Sequence, residues 1–442
     1  MDKREAIGIR DASFELTTVG DLVKRGVLER PIDGNHGEIH PKSADFVSEG
    51  VPFVMASDLK NGRVEYGQCA FITERQAESL RKGFAKNGDV LLTHKATIGE
   101  TAIVAYDKHP YIMLTPQVTY YRVKDKAALS NRYLKAYFDS SLFQQTLQML
   151  ASSGSTRAYL GITEQHRLPV ILPPHEKQEK IAAILGTIDD LIANNQRRIT
   201  LLESMAEEIY REWFVRMRFP RHAEVQKPKG IPEGWTPATL GTIANFVMGQ
   251  SPSSEHYNET GDGLPFHQGV GTYGDRFPRH QVFCSSTGRK ASAGDILFSV
   301  RAPVGRLNIA DTELIIGRGL AAMRHKQDLN SYLFYLLKVT FANEDMIGNG
   351  SIFNSVGKDE LAKHPILCPP PELAEMFETF VKPIDAQLAT LYATTTKLSK
   401  QRDALLPRLI SGKLGVHALD IQFPPSMQQP PAEATQREAI VL

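Results

Sequence analysis

Residues Pro173–Trp213 read PPHEKQEKIAAILGTIDDLIANNQRRITLLESMAEEIYREW. From Ile181 onward a seam recurs at alternating steps of four and three: Ile181, Leu185, Ile188, Ile192, Asn195, Ile199, Leu202, Ala206 and Ile209. A three-four seam kept over about four heptads is the pattern of a helix packed on another helix. The prolines in front disfavour helix before them and suit a helix start after them. Shifting the walk by 196 residues gives Phe377, Val381, Ile384, Leu388, Leu391, Thr395, Leu398, Arg402 and Leu405. Two long helices with matching seams are therefore expected, with Asn195 as a polar seam residue able to fix register. The alternative is that each helix docks only on its own domain. Pro383 is expected to kink the second helix or delay its start to about Ile384. Arg402, near the end of that seam, is expected to snorkel. At 1.5 Å per residue, about 40 residues make a rod of about 60 Å, which can hold two modules apart.

The sequence before each helix repeats as well. GSTRAYLGITEQHRLPVILPP (Gly154–Pro174) matches GSIFNSVGKDELAKHPILCPP (Gly350–Pro370) without a gap, sharing seven identities at the same offset of 196. NGDVLLTHKATIG (Asn87–Gly99) matches AGDILFSVRAPVG (Ala293–Gly305) at five positions with an offset of 206, and Lys95 aligns with Arg301. The order agrees, so the chain reads as two related halves with ten residues deleted from the later one between these motifs. Each half opens with short apolar runs (DVLLT and AIVAY; DILFSV and LIIG) separated by Gly, Asp and Pro, which predicts strands. Single helical stretches are expected over residues 131–151 and 330–346. Phe219–Trp235, FPRHAEVQKPKGIPEGW, is rich in Pro and charge and reads as a linker; the tail after Gly415 reads as disordered.

A chain of 442 residues exceeds one ordinary core, which agrees with two or three units. With 42% hydrophobic and 23% charged residues it has the balance of a globular protein. No apolar run approaches the roughly 20 residues of a membrane span, and the charged start MDKREAIGIRDASFE has no secretory core, so the cytoplasm is the expected location. Cys69, Cys284 and Cys368 lack metal-ligand spacing. The net charge of +1 gives no global attraction to polyanions, so nucleic-acid binding must rest on local patches. One patch runs from Arg276 through Arg279, Arg289, Lys290 and Arg301 to Arg306, against Asp295 alone; a solvated face is its plainer explanation.

Catalytic patterns are missing. QGVGTYG (Gln268–Gly274) matches a dinucleotide-binding fingerprint only formally, because Pro278 follows where a helix should begin. His36 and His40 have helical metal-pair spacing, but Gly34, Gly37 and Pro41 oppose a helix there. There is no phosphate-loop motif, zinc-protease motif or Asn-Pro-Pro-aromatic methylation motif. A binding protein is expected, with no metal site and no catalytic residues.

Two β-rich modules, each closed by GS-x5-G-x2-E-x4-P-x3-PP and a long helix, resemble the specificity subunit of type I restriction-modification systems. LPPHEKQEKIAAILGTIDDLIANNQRRITLLESMAEEIYREWFV, IPEGWTPATLG and LPRLISGKL carry the resemblance, which spans about Val19 to Leu414. It implies an α+β fold: two repeated β-rich α/β target-recognition domains joined by two long helices forming an antiparallel coiled coil. The expected divisions are residues 1–172 (first recognition domain), 173–218 (first spacer helix), 219–235 (linker), 236–368 (second recognition domain), 369–415 (second spacer helix) and 416–442 (tail). It further implies a non-catalytic subunit reading a bipartite, asymmetric site on double-stranded DNA. Its partners would be two adenine methyltransferase subunits and motor-nuclease restriction subunits, with S-adenosylmethionine, ATP and magnesium on those partners and no cofactor in this chain. The competing reading is a coiled-coil scaffold or an orphan recognition protein without an active restriction complex.

Lys and Arg in loops suit phosphates, while Arg, Lys, Asn, Gln, Ser and Thr suit base edges. The candidates in the first module are Lys95, Thr97, Ser155, Thr156 and Arg157. In the second they are Arg279, His280, Arg301, Arg306 and Ser351. Recurrence of these loops in both halves fits fold maintenance equally well, and Gly99, Gly161, Gly305 and Gly357 are expected as turn residues.

Overall fold

The computed structural model describes residues 8–106, 108–152, 158–341, 355–424 and 427. The first half holds strands β1 (Glu15–Thr18), β2 (Ile32–Asp33), β3 (Val51–Val54), β4 (Leu59–Lys60), β5 (Arg63–Val64), β6 (Ala70–Ile72), β7 (Phe84–Ala85), β8 (Val90–Lys95), β9 (Thr97–Ile103), β10 (Ile112–Leu114), β11 (Val118–Tyr121) and β12 (Pro169–Leu172). Among them lie helices α1 (Val19–Lys24), α2 (Glu74–Ser79), α3 (Asn131–Asp139), α4 (Ser141–Ala151) and α5 (Ile162–Gln165), and α6 (His175–Tyr210) follows. The second half holds β13 (Thr236–Thr239), β14 (Ala244–Met248), β15 (Tyr257–Asn258), β16 (Leu264–His267), β17 (Phe283–Cys284), β18 (Lys290–Ala291), β19 (Ile296–Ser299), β20 (Leu307–Ile309), β21 (Leu314–Ile316), β22 (Leu320–His325) and β23 (Pro365–Cys368). Its helices are α7 (Leu240–Ile243), α8 (Asn330–Phe341), α9 (Lys358–Lys363) and α10 (Pro371–Ile410).

The repeat in sequence is a repeat in topology. One sheet runs β2-β11-β8-β9 in the first half and β14-β22-β19-β20 in the second. The other runs β6-β3-β10-β7 and β15-β17-β16-β21-β18, and a two-stranded pair, β1-β12 or β13-β23, completes each module. The parallel pairs β3-β10 and β16-β21 also correspond.

The unbroken apolar runs DVLLT and DILFSV follow from this layering. Successive strand side chains face opposite sides, so a central strand covered on both faces has no polar face to show. Val90 and Leu92 enter a core with Tyr133, Phe138 and Phe143, whereas Leu91 enters another with Val54 and Leu114. Ile296 and Phe298 likewise split from Leu297. The shared Gly-Asp step before each strand is structural: Asp89 accepts the Lys86 N–H at 2.7 Å and pairs with Arg122, while Asp295 accepts the Ser292 N–H at 2.7 Å and pairs with Arg324.

The helical stretch 131–151 is two helices. Ser140 has extended backbone at ψ 143, and its hydroxyl accepts the Phe143 N–H to start α4. A residue serving as N-cap cannot continue the preceding helix.

The chain forms two compact units, residues 1–195 with 394–442 and residues 196–393, so each long helix gives one half to each unit. In the first, Ile181 and Leu185 of α6 share a core with Leu406, Leu409 and Ile410 of α10. In the second, Ile199 and Leu202 meet Ile384, Leu388 and Leu391, while Ala206 and Tyr210 join Phe377 and Val381 in the module's own core. Within each unit, early residues of one helix meet late residues of the other, which is antiparallel pairing. The seam therefore serves both expectations: helix on helix at Leu388, and helix on domain at Phe377 and Ile181. Ile192 and Asn195 are buried at 7% and 8% exposure.

Three expectations are corrected. Helix α10 runs unbroken through Pro383 from Pro371. Pro383 and Thr379, whose carbonyl loses its helical donor, both lie on the exposed face, where water can satisfy that carbonyl. Arg402 does not snorkel: it donates to Asp189 at 3.1 Å and to Asp403 at 2.9 Å. Gly161 and Gly357 are N-caps of α5 and α9 with φ of −62° and −83°, whereas Gly99 and Gly305 do take positive φ, 100° and 85°. The ends of the linker stretch, Phe219 and Trp235, are buried in the second unit's core, and Val416 is buried in the first. The tail beyond residue 424, save Met427, lies outside the described residues.

Candidate nucleic-acid interface

The two sequence motifs of each half meet in space. Strand β8 ends at Lys95, turns through Ala96 at φ 65°, and returns as β9 from Thr97. The Leu160 N–H donates to the His94 carbonyl at 3.0 Å, and Lys95 is bridged to Tyr159. At the matching positions the Val356 N–H donates to the Val300 carbonyl at 2.9 Å, and Arg301 is bridged to Ser355. A hydroxyl locks both turns: Thr93 Oγ1 accepts the Glu100 N–H at 2.9 Å, and Ser299 Oγ accepts the Arg306 N–H at 2.8 Å.

The scaffold repeats while the exposed chemistry changes. Lys95 and Arg301 are both exposed and both basic. Beside them the first module presents Thr97, Glu100 and Tyr159 where the second presents Pro303, Arg306 and Ser355. Tyr159 is 48% exposed, and the Lys95 ammonium stands 5.9 Å from its ring centre. Thr97 and Glu100 line an open cleft of about 360 Å³ with Lys60 and Asn61 of the β4–β5 hairpin. Beneath the tip His94 is fully buried; its Nδ1 lies 2.9 Å from the Leu160 carbonyl, and burial pushes its pKa down. A neutral ring donating from Nδ1 satisfies that geometry.

The sequence candidates divide into three groups. Lys95, Thr97, Arg301 and Arg306 come to the hairpin tips, and Arg279 is exposed on the loop after β16. Ser155, Thr156, Arg157 and Ser351 lie outside the described residues. His280 is not a bare reader: its Nδ1 is 3.0 Å from His267 Nε2, and its Nε2 is 3.0 Å from Asp311.

Arg276 leaves the basic patch altogether. It is 2% exposed, pairs with Asp385 on α10 and stacks 4.7 Å from the Phe334 ring. Lys290 pairs with Glu313 at 2.8 Å. Glu100, Tyr159 and Lys60 were not singled out by sequence. Tyr159 lay inside the quoted motif, but its exposure depends on the bridge to Lys95. Among the described residues no group of three or more His, Cys, Asp or Glu is placed to hold a metal ion, and no helix is long and apolar enough to cross a membrane.

Comparison with known proteins agrees with this duplicated architecture. The model of the type I restriction modification DNA specificity domain matches residues 27–204 and again 232–404. A Methanocaldococcus jannaschii chain named as the MjaX specificity subunit of a type I restriction enzyme is 27% identical over 375 residues, covering 83% of this chain and 88% of the relative. The type I restriction enzyme MjaIX specificity subunit of the same organism is 25% identical over 434 residues, covering 92% and 98%. Among solved structures, the type I restriction-modification S subunit from M. genitalium shares the fold with a TM-score of 0.58 at 15% identity, covering 91% of this chain and 96% of that one.

Proposed function

Because the chain belongs to the type I restriction modification DNA specificity family, whose domain it carries twice, we propose that it reads a bipartite, asymmetric DNA site with one module per half-site. The observation that carries this reading is the pair of hairpin tips, alike in hydrogen bonding and unlike in exposed residues: Thr97, Glu100 and Tyr159 against Pro303, Arg306 and Ser355. Scaffolds tied by matching hydrogen bonds but carrying different donors and acceptors can address two different stretches of base edges. Lys95 and Arg301, alike in charge, suit the sequence-independent phosphates.

The chain is the non-catalytic reading subunit, and chemistry is assigned to its partners. Two methyltransferase subunits would carry S-adenosylmethionine and modify adenine; motor-nuclease subunits would use ATP and magnesium. The long helices, 36 and 40 residues, would set the spacing between half-sites at about 1.5 Å per residue. The cytoplasm, where DNA and these partners meet, is the proposed location.

The deciding experiment is co-expression with a methyltransferase subunit in a methylation-free host, followed by genome-wide mapping of adenine methylation. A split motif with a fixed unread spacer is expected. A folded complex that methylates no motif would overturn the reading in favour of a scaffold or orphan module.

A further inference from the structure

The loop from Gln268 to His280, in the second module, is fastened by two unlike devices. Near its middle Arg276 reaches Asp385 of α10 and Glu203 of α6, and the Phe277 ring lies 5.5 Å from that of Tyr392. At its two ends runs a chain of hydrogen bonds. Thr272 Oγ1 is 2.7 Å from His267 Nδ1, His267 Nε2 is 3.0 Å from His280 Nδ1, and His280 Nε2 is 3.0 Å from the Asp311 carboxylate.

The Asp311 carboxylate only accepts, so His280 donates to it from Nε2. The His267 ring bridges His280 and Thr272, one nitrogen donating and the other accepting. His267 is fully buried, and burial with His280 alongside pushes its pKa down to about 4, so it stays neutral as this pattern requires.

Between these anchors the exposed guanidinium of Arg279 has no ion pair among the described residues, and its backbone N–H is spent on the Thr272 carbonyl at 2.8 Å. A guanidinium on a loop fastened on both sides of it meets the geometric demand of bidentate base reading.

We infer that Arg279 determines base specificity in one half-site, and that Asp311, His280 and His267 are positioning residues that act through it. The inference rests on the DNA-reading function proposed above. It differs from the sequence expectation for His280, which here orients a neighbour.

The test uses the full chain in complex with its methyltransferase subunit, selecting from a library of randomised DNA duplexes. Arg279→Ala should relax preference about tenfold at one or two base pairs of a single half-site, leaving the other half-site unchanged. Asp311→Ala should relax the same base pairs. Asp311→Asn, whose amide oxygen still accepts from His280, should restore them, which a general loss of folding would not do. If Arg279→Ala leaves every position unchanged, or if Asp311→Ala relaxes different base pairs, the inference is overturned. A wild-type complex that selects no motif would instead overturn the DNA-reading function beneath it.

Discussion

Leu160 donates its backbone N–H to the carbonyl of His94 at 3.0 Å, tying the segment just before α5 to the tip of the β8–β9 hairpin. Because Val356 and Val300 repeat the bond at 2.9 Å, the two motifs first seen as text repeats form one physical feature in each module. What each module offers a duplex is set by the side chains hung on this joint.

Lys95 and Arg301 project from the joint with phosphate-binding chemistry. Lys95→Ala and Arg301→Ala should each weaken DNA binding across all sequences. Each should also reduce the slope of log affinity against log salt by about 0.9. Titration over a salt series checks this; unchanged affinity and slope in both variants would remove the hairpin tips from the interface.

Arg276 answers to a different physics. It is buried against Asp385 and Phe334, so Arg276→Ala leaves an uncompensated carboxylate and should destabilise the protein by about 3–5 kcal/mol. Urea unfolding of the full chain measures it. A loss below about 1 kcal/mol would mean that the pair is solvated.

His267 makes stability sensitive to acid. Its pKa is about 4 in the fold against about 6.5 unfolded, so the unfolded chain binds the proton first. The corresponding stability, about 3 kcal/mol, is present above pH 6.5 and is lost as pH falls towards 4. His267→Gln should lack this component of the pH profile; an unchanged acid limb would contradict the burial assigned to the ring.

Leu388 is fully buried in the cluster with Ile199 and Leu391, where helix meets helix away from either module's core. Leu388→Ala should cost about 2–5 kcal/mol by lost transfer energy and a residual cavity. Leu201, 69% exposed on the same helix as Ile199, is the control: its replacement by Ala should cost under about 0.5 kcal/mol in parallel unfolding curves.

One heptad inserted in each long helix keeps the seam in phase and adds about 10 Å, close to three base-pair steps of about 3.4 Å. The spacer in the methylation motif should grow by about three base pairs. A spacer of unchanged length would end the ruler proposal.

The duplication, the heptad seams and the family were all legible in the chain, because each is written as spacing along one dimension. Ile181, Leu185, Leu388 and Leu391 are buried where a three-four repeat requires it. Pro383 misled because a local rule about lost hydrogen bonds is blind to which face of the helix water can reach. Arg276 misled in a second way. It is chemically fit to touch DNA, but Asp385, which claims it, lies 109 residues away in sequence.

By itself, then, the sequence determined the periodic features: two modules, two helices and a shared motif order, since hydrophobic periodicity and repeats are properties of neighbouring residues. Only the tertiary structure decided which polar side chains are spent internally and which face outward. That choice depends on partners brought together by folding, as when Asp385 claims Arg276 and Asp311 claims His280 while Lys95, Arg279 and Arg301 stay exposed. A charged group's role follows from the charge it meets and the water it keeps, and neither is encoded at its own position.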